Sequence, residues 1–302
     1  MATTVNLTTT YAGEVAGGYL QAAFLANTSL QHITVKDNIP FKQVVRKMTT
    51  TRTTFQEPSC TFNPSGTINL GERILTLTDL AYQEELCKLT FLQDWEALAA
   101  QNANINSVED ALITMVLANI GQINETMLWQ GTASSSSYAG LGTLIDANAD
   151  SDINFVATPV ALTAGNIIAK IELLLAEVPT AVENATEKPI IYMNQKTFHL
   201  YRQANVATGN GWYTYNGAAV APTFMGIYDI AICPGMKDNT MYCAQKSNFW
   251  FGTNKMADWN ALSTIDMQPI NGDKTVRFDA MFFAGTQYGF GSEIAAYGLG
   301  LS

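Results

Sequence analysis

The clearest hydrophobic period in the sequence lies between residues 108 and 130. Apolar residues recur there at spacings of three and four, as on one face of a helix. Ser107 and Asp110 resemble a capping box at the start of this pattern, and Gly131 ends it. The spacing therefore predicts a helix over residues 108–130, about 34 Å long at 1.5 Å per residue. The periodic positions are Val108, Leu112, Met115, Val116, Ile120, Ile123 and Met127.

A strand-like segment precedes this helix. Residues 40–79 are rich in Thr, Val, Ile, Phe and Arg, and turn signals interrupt them at residues 57–59 and 63–66. This pattern predicts a long β-hairpin or a three-stranded ribbon. The first strand, residues 41–55, is rich in Thr on both faces and shows no apolar face. Because a ribbon without an apolar face is at best marginally stable alone in water, we expect it to lie on another surface.

Helices and strands are mixed in the rest of the chain without a βαβ rhythm, which favours an α+β fold. Residues 1–35 are weakly patterned around a short apolar run at residues 19–25, which predicts an extended arm with a short helix. Residues 131–142 are rich in Gly and Ser and are predicted to be a flexible loop. The other predicted helices are residues 89–100, 164–178 capped by Thr163, and 195–204 capped by Asn194. The other predicted strands are residues 189–193, 225–233 with 240–245 as its partner, 264–270 and 274–283 joined at Asn271-Gly272, and 293–297.

The content of charged residues is low for a soluble protein. Asp, Glu, Lys and Arg make up 14% of the 302 residues, where an ordinary soluble domain carries about 25%. Charged residues are depleted where proteins meet, so this composition favours an assembly with extensive contacts. The net charge of -10 argues against a whole-surface electrostatic grip on nucleic acid.

The charges are unevenly distributed. Residues 31–80 hold six Lys and Arg against four Asp and Glu, so the ribbon is basic and the remainder acidic. One interpretation is a solvated edge whose charges prevent aggregation. The low overall charge favours the other interpretation, an arm that docks on a neighbouring copy. The residues predicted to make inter-subunit contacts there are Lys42, Arg46, Lys47, Arg52 and Arg73.

Residues 203–228 contain no charge and form a predicted loop rich in aromatic residues. Its Asn, Gly and Pro residues exclude a membrane-spanning helix, because they would leave polar groups and a broken helix in hydrocarbon. Aromatic platforms for single-stranded nucleic acid are interleaved with basic residues, which this loop lacks. We therefore predict inter-subunit contacts for Trp212, Tyr213 and Tyr215.

The sequence shows no convincing catalytic, cofactor or metal motif. The serines at 134–137 lack the pattern of a nucleophile elbow, and Gly140-Leu-Gly142 lacks the third glycine of a dinucleotide site. The four cysteines and two histidines are scattered, so we predict reduced, structural cysteines, no metal, no cofactor and no enzymatic activity. The alternative is an enzyme or surface β-protein that uses the loop at 134–142, with Ser135 and His199 as the residues to substitute.

The order of these elements resembles the major capsid protein of tailed bacteriophages, the HK97-like fold. The resemblance covers nearly the whole chain and lies in the succession of arm, basic ribbon, long helix and glycine-rich turn. The short sequences that carry it are LWQGT at 128–132, GLGTLI at 140–145, PIIYMN at 189–194, GIYDIAICPG at 226–235, KSNFWFG at 246–252, VRF at 276–278 and EIAAY at 293–297.

The resemblance implies a division of the chain into the parts of that fold. They are an N-terminal arm (1–35), an E-loop β-ribbon (36–88), the first part of a P-domain (89–160) with a spine helix at 108–130, an A-domain (161–258) and P-domain return strands (259–302). It also implies hexamers and pentamers in an icosahedral or prolate shell around double-stranded DNA that is bound without sequence specificity.

The resemblance further implies a protein of the virion, made in the cytoplasm of a bacterial host, without contact to a membrane. Scaffolding, portal and decoration proteins are its expected partners. An alternative with the same fold is an encapsulin-like compartment that encloses cargo enzymes, for which an apolar cargo groove near the N-terminal arm would be evidence. No motif selects a lysine–asparagine pair, so no crosslink between subunits is predicted.

Overall fold

Two β-sheets and one long helix form the body of the protein. The computed structural model describes residues 28–51, 54–55, 57–58, 60, 64, 66–87, 108–148, 151–207, 223–254 and 263–298. The helices are α1 (Val108–Gln130), α2 (Leu141–Ala147), α3 (Ile167–Ala176), α4 (Thr180–Glu183), α5 (Gln195–Ala207) and α6 (Gln268–Asn271). The strands are β1 (Thr34–Lys36), β2 (Lys42–Thr50), β3 (Ile68–Thr76), β4 (Thr78–Cys87), β5 (Thr132–Ser134), β6 (Ser137–Ala139), β7 (Asn154–Phe155), β8 (Ile190–Met193), β9 (Thr223–Phe224), β10 (Tyr228–Ile232), β11 (Thr240–Ala244), β12 (Phe249–Thr253), β13 (Ser263–Asp266), β14 (Thr275–Tyr288) and β15 (Ala295–Gly298).

The predicted long helix is confirmed as α1, and its C-terminal half packs against both sheets. Trp129 stacks on Tyr242 with ring centroids 5.9 Å apart, and it meets Phe249 edge-on at 6.2 Å. Leu128 and Trp129 are fully buried, as expected for the apolar side of an amphipathic helix. The predicted helix at residues 89–100 lies outside the described residues.

The first sheet has five strands in the order β1-β12-β14-β13, with β4 paired to β14 as well. Strand β14 is fourteen residues long and is antiparallel to β4, β12 and β13. Alternate β14 side chains are buried: Val276, Phe278, Ala280 and Phe282 belong to the core that contains α1. The opposite face of this strand is more exposed.

The second sheet has six strands in the order β7-β15-β11-β8-β10-β9. It is buried on both faces, so its central strands are apolar without alternation. Tyr192 and Tyr242 point into the core of α1, whereas Met193 and Met241 point into a second core under α3 and α5. The alternating side chains thus join two cores through one sheet.

A two-stranded ribbon, β2 paired antiparallel with β3, confirms the predicted hairpin. Its first strand ends at Thr50, five residues earlier than predicted. Leu77 lies at the base, where its N–H donates to the Phe41 carbonyl at 3.0 Å, and the chain then continues into β4 of the first sheet. The ribbon is therefore an extension of the five-stranded sheet.

Strand pairing in the second sheet differs from the prediction. Residues 225–233 and 240–245 were expected to pair with each other, but β8 lies between them, parallel to β10 and antiparallel to β11. The strand also begins later, at Tyr228, because Met225 and Gly226 adopt positive φ in a turn. Local turn signals in the sequence do not reveal the pairing of strands that are far apart in the chain.

Three predicted local structures also need correction. Residues 131–142 are not a flexible loop, because β5 and β6 form a hairpin there and α2 begins at Leu141. Helix α3 begins at Ile167 without a Thr163 cap, since Asn166 Oδ1 instead accepts a bond from the Thr163 N–H in a preceding turn. The hairpin of β13 and β14 closes through α6, and Gly272 ends that helix at φ 82°.

Sheet membership differs at three strands from the expected division of the chain. Strand β12, expected in the A-domain, pairs with β14 in the first sheet. Strand β15, expected with the return strands, pairs with β11 in the second sheet. Strand β1, at the end of the expected arm, runs parallel to β12 and belongs to the body.

Candidate subunit interface on the β-ribbon

The base of the ribbon is fixed to the body by one of its two faces. Leu75 is fully buried in a small core with Ile39, Leu77 and Trp250. The side-chain amide of Gln287 donates to the Ile74 carbonyl at 3.1 Å. These contacts hold the lower part of β3 against the five-stranded sheet.

Arg73 lies on this same attached face and is used inside its own chain. Its guanidinium carbon lies 4.1 Å from the centre of the Tyr288 ring, and Nη2 lies 3.9 Å from Asp152 Oδ1. The side chain is only 11% exposed. A guanidinium that is stacked on an aromatic ring and desolvated contributes to the attachment of the ribbon. These contacts of Arg73 lie within its own chain, and its predicted inter-subunit contact stays a prediction.

Gly285 of β14 allows the ribbon base to approach closely. A Cβ at this position would lie 2.2 Å from the Thr76 carbonyl oxygen and 3.4 Å from Leu77 Cα. The strand that leaves the ribbon therefore crosses β14 with no room for a side chain.

We expect Gly285→Ala to lower the free energy of unfolding by about 1–3 kcal/mol, the usual cost of overpacking a rigid contact. Urea unfolding followed by tryptophan fluorescence measures this change. Gly165→Ala is the matched control, since the nearest atom to its Cβ would be 4.0 Å away. Equal stability of the two variants would contradict the close approach.

The other face of the ribbon carries exposed apolar side chains on both sides of the Arg46–Glu72 pair. In the β2–β3 register, Val44 lies opposite Ile74, Met48 opposite Leu70, and Thr50 opposite Ile68. Residues that face each other in this way point to the same side of a ribbon. We call Val44, Met48, Ile68, Leu70 and Ile74 the ribbon stripe, and their side chains are between 43% and 76% exposed.

Exposed apolar patches of this kind are typical of protein–protein contact surfaces. Each large apolar side chain gains about 1.5–3 kcal/mol on full burial. The prediction that the ribbon has no apolar face of its own is therefore wrong. The stripe is shared between two strands, so neither strand shows it clearly in the sequence.

Charged residues lie on the same face as the ribbon stripe, Lys42 at one end of it and the Arg46–Glu72 pair within it. Lys42 and Arg46 are exposed there, and Glu72 lies directly opposite Arg46 in the ladder. The backbone of Lys47 pairs with Gly71 in the same ladder. Of the predicted contact residues, Lys42 and Arg46 thus share one face with the stripe. Arg52, Trp212, Tyr213 and Tyr215 lie outside the described residues.

Three further exposed apolar side chains lie on α5 and in the turn that follows β9, the edge strand of the six-stranded sheet. Val206, Met225 and Ile227 are 60–68% exposed, and they stand on either side of residues 208–222. Residues 203–207 belong to α5 and 223–224 to β9, so both ends of the predicted uncharged loop lie in regular elements, and its residues 208–222 lie outside the described residues. The patch, which we call the sheet-end patch, is contributed by α5 and by the turn between β9 and β10.

A buried carboxyl group joins residue 29 to α1 and to the 234–235 turn. The Ser29 hydroxyl donates to Glu125 Oε1, and the N–H groups of Ser29 and Gly235 each approach a Glu125 oxygen at 3.4 Å. Trp129 Nε1 donates to the Ser29 oxygen at 2.9 Å. Burial raises the pKa of Glu125, and the three hydrogen bonds oppose this shift without cancelling it.

The raised pKa gives a pH prediction with a definite sign. A folded-state pKa above the unfolded one means that the folded chain binds more protons, so stability falls as pH rises through this range. We expect the free energy of unfolding of the wild type to decrease relative to that of Glu125→Gln between pH 4.5 and pH 8. Urea unfolding at several pH values measures the difference. A parallel pH dependence of wild type and Glu125→Gln would refute the assignment.

The candidate catalytic residues Ser135 and His199 lie on different elements of the fold. Ser135 is exposed at the turn between β5 and β6, and His199 is exposed on α5, where its Nε2 lies 3.2 Å from Gln203 Nε2. Burial raises the pKa of the Cys243 thiol to about 12, which makes it unreactive.

Within the described residues, no group of three or more His, Cys, Asp or Glu is arranged to hold a metal ion. None of the described helices combines the length and the apolar character needed to cross a membrane.

The fold is similar to that of phage capsid proteins. The capsid of an empty GTA particle matches 89% of this chain and 88% of its own, with a TM-score of 0.60 and 13% identity. The satellite phage P4 procapsid matches 92% of this chain and 96% of its own, with a TM-score of 0.55 and 8% identity. A virus-like particle from Pyrococcus furiosus matches 93% and 97%, with a TM-score of 0.52 and 10% identity.

These similarities lie in structure alone. The sequence matches no family model, and no curated protein matches it. The chain therefore has the fold of phage capsid proteins at a level of identity where sequence comparison no longer detects it.

Proposed function

We propose that this chain is the major capsid protein of a tailed bacteriophage, a structural subunit that assembles with copies of itself into an icosahedral or prolate shell. The observation that carries the proposal is the ribbon stripe, an unpartnered apolar face on a ribbon in a chain with a capsid fold. A subunit that leaves such a face in water gains free energy only when another molecule covers it. In a shell built of identical copies, that molecule is a neighbouring subunit.

The parts of the HK97-like fold then correspond to elements of this chain. The ribbon β2–β3 is the E-loop, α1 is the spine helix, the five-stranded sheet belongs to the P-domain and the six-stranded sheet to the A-domain. The boundaries 1–35, 36–88, 89–160, 161–258 and 259–302 remain our working division. The sheet partners of β12 and β15 favour assigning β12 to the P-domain and β15 to the A-domain.

In this arrangement each ribbon lies over an adjacent subunit within hexamers and pentamers. The sheet-end patch and the loop with Trp212, Tyr213 and Tyr215 meet their counterparts at the local axis, where an uncharged, aromatic surface suits close packing of identical chains. We propose a role in the virion after synthesis in the host cytoplasm, with scaffolding, portal and decoration proteins as further partners. The role is structural and not enzymatic.

The net charge fits a container for double-stranded DNA. A chain with net charge -10 lacks the overall positive potential that binds phosphates without sequence preference. An acidic lining would let DNA pack and leave without adhering to the wall. Contacts with the packaged DNA are therefore expected to be weak and independent of sequence.

A second candidate is an encapsulin-like compartment that encloses cargo enzymes. The similarity to the virus-like particle from Pyrococcus furiosus favours it, because that structure matches as much of the chain as the phage capsids do. The contents of purified particles distinguish the two candidates. DNA inside supports the capsid, and a co-purifying enzyme without DNA supports the compartment.

The charged part of the proposed contact can be tested with a charge swap. Arg46→Glu should reduce assembly at least tenfold, but it also places a glutamate opposite Glu72 and weakens the ribbon itself. The double variant Arg46→Glu with Glu72→Arg restores opposite charges across the ladder. Light scattering of both variants over a range of protein concentrations measures their assembly.

If Arg46 contacts a neighbouring subunit, the double variant Arg46→Glu with Glu72→Arg should still assemble poorly at about 50 mM salt. Extending the reversal to Lys47 and Arg52 should deepen the defect while the subunit stays folded. If the double variant assembles like the wild type, Arg46 acts only within its own ribbon and does not contact a neighbouring subunit. Normal particles from the triple reversal would count against a basic docking surface.

A further inference from the structure

The outer face of α1 lacks the charges of a solvated helix. The exposed positions in its described C-terminal half include Ala118, Asn119, Gln122, Ile123 and Thr126. Between residues 111 and 130 the sole charged residue is Glu125, and its side chain is buried. A helix that faces water normally carries charged residues on that side. This face therefore has the composition of a covered surface.

A groove with a volume of about 420 Å³ runs along this face of α1. The hairpin β5–β6 forms one of its walls through Thr132 and Ser137. Ile123 and Met127 supply apolar surface within an otherwise polar and uncharged lining. The remaining lining residues are Asn119, Gln122, Thr126, Gln130 and Gly131.

The first described residues of the chain, 28 and 29, lie beside this groove. Ser29 is fully buried and bonded to Glu125 and Trp129, as described above. Gln122 and Thr126 precede these two residues by three positions, so they form the adjacent row of the helix, about 5–6 Å away between Cβ atoms. The point where the chain is anchored is thus next to the near edge of the groove.

The segment before residue 28 matches the groove in composition and in reach. Residues 1–27 contain one charged residue, Glu14, and residues 19–25 are its apolar run. The three residues 26–28 span up to about 10 Å when extended, which is the diameter of a helix with its side chains. We propose that residues 19–25 of the same chain dock in the groove on α1.

The ribbon of a neighbouring copy fits this groove less well. Lys42 and Arg46 lie on the same face as the ribbon stripe, and the groove offers them no carboxylate because Glu125 faces the interior. An uncharged segment needs no such partner. The docking is therefore independent of whether the chain forms shells, and it covers the face of α1 in the isolated subunit.

Thiol labelling of the unassembled full-length chain tests this proposal. In a background with the exposed Cys60 and Cys87 changed to Ser, Ile123→Cys reports on the groove and Leu173→Cys is the control. Ile123 and Leu173 are similarly exposed, at 39% and 46%. We expect a maleimide to label Ile123→Cys at least tenfold more slowly than Leu173→Cys. Leu20→Asp with Phe24→Asp should remove that difference.

The native thiols of Cys233 and Cys243 are buried, so their resistance to labelling reports that each variant is folded. If the double aspartate variant is unfolded, Phe24→Ala is used instead and should raise the labelling rate at Ile123→Cys at least threefold. Labelling of Ile123→Cys as fast as the control in the full-length chain would overturn the proposal. So would protection that depends on protein concentration, since a second copy would then cover the groove, or protection that survives the substitutions at Leu20 and Phe24.

Discussion

Replacing Met48 and Leu70 with aspartate is expected to abolish shell assembly while leaving the subunit folded. The two side chains face each other in the ladder and are about 70% exposed, so the isolated chain should tolerate the change. In an assembled shell each contact would lose about 1.5–3 kcal/mol of apolar burial per side chain. At 1.4 kcal/mol per factor of ten, that weakens each contact by roughly 10²–10⁴. Sedimentation velocity of the purified variant measures the loss of particles.

The same ribbon provides a matched control for this experiment. Gln43 and Asn69 are exposed on the opposite face, so Gln43→Asp with Asn69→Asp adds the same charge without touching the stripe. We expect this control to assemble at close to the wild-type concentration. Particles from the Met48→Asp and Leu70→Asp variant at wild-type yield would show that the stripe is not an interface. An equal defect in both variants would point to net charge as the cause.

Substituting aspartate for Met225 and Ile227 is expected to prevent the closure of hexamers and pentamers. Both side chains lie in the exposed turn between β9 and β10. If the sheet-end patch meets its own counterparts around an axis, each substitution is repeated in every subunit of the ring. Like charges brought together in this way repel, and the effect should grow with ring size.

Negative-stain electron microscopy of the Met225→Asp and Ile227→Asp variant measures this outcome. We expect open or incomplete oligomers, and we expect the same result when residues 208–218 are deleted. Val160→Asp with Leu173→Asp is the control, since both residues are comparably exposed outside this patch. Complete particles from the Met225→Asp and Ile227→Asp variant would show that the sheet-end patch does not lie at the local axis.

The features that the sequence predicted well are those encoded by neighbouring residues. Helix α1 was predicted with its observed bounds because its 3.6-residue period and its terminal glycine are local signals. The Asn194 cap of α5 was recognised for the same reason, and the Thr197 N–H donates to its side chain at 2.7 Å. Polar and apolar positions on one element are sufficient for such predictions.

The features that were missed depend on residues far apart in the chain. The ribbon stripe combines positions 44 and 48 with positions 68, 70 and 74, and only the strand register unites them. Strand β8 separates β10 from β11 because a parallel pair forms across more than thirty residues. The Ser29–Glu125 contact spans 96 positions. No local pattern encodes these pairings.

Electron cryomicroscopy of the purified full-length protein at high concentration tests the central claim most directly. We predict closed shells in which the ribbon of each subunit lies over a neighbour and the side chains of Met48 and Leu70 are buried between two copies. A protein that stays monomeric at such concentrations, with the ribbon stripe folded back on its own body, would contradict the account.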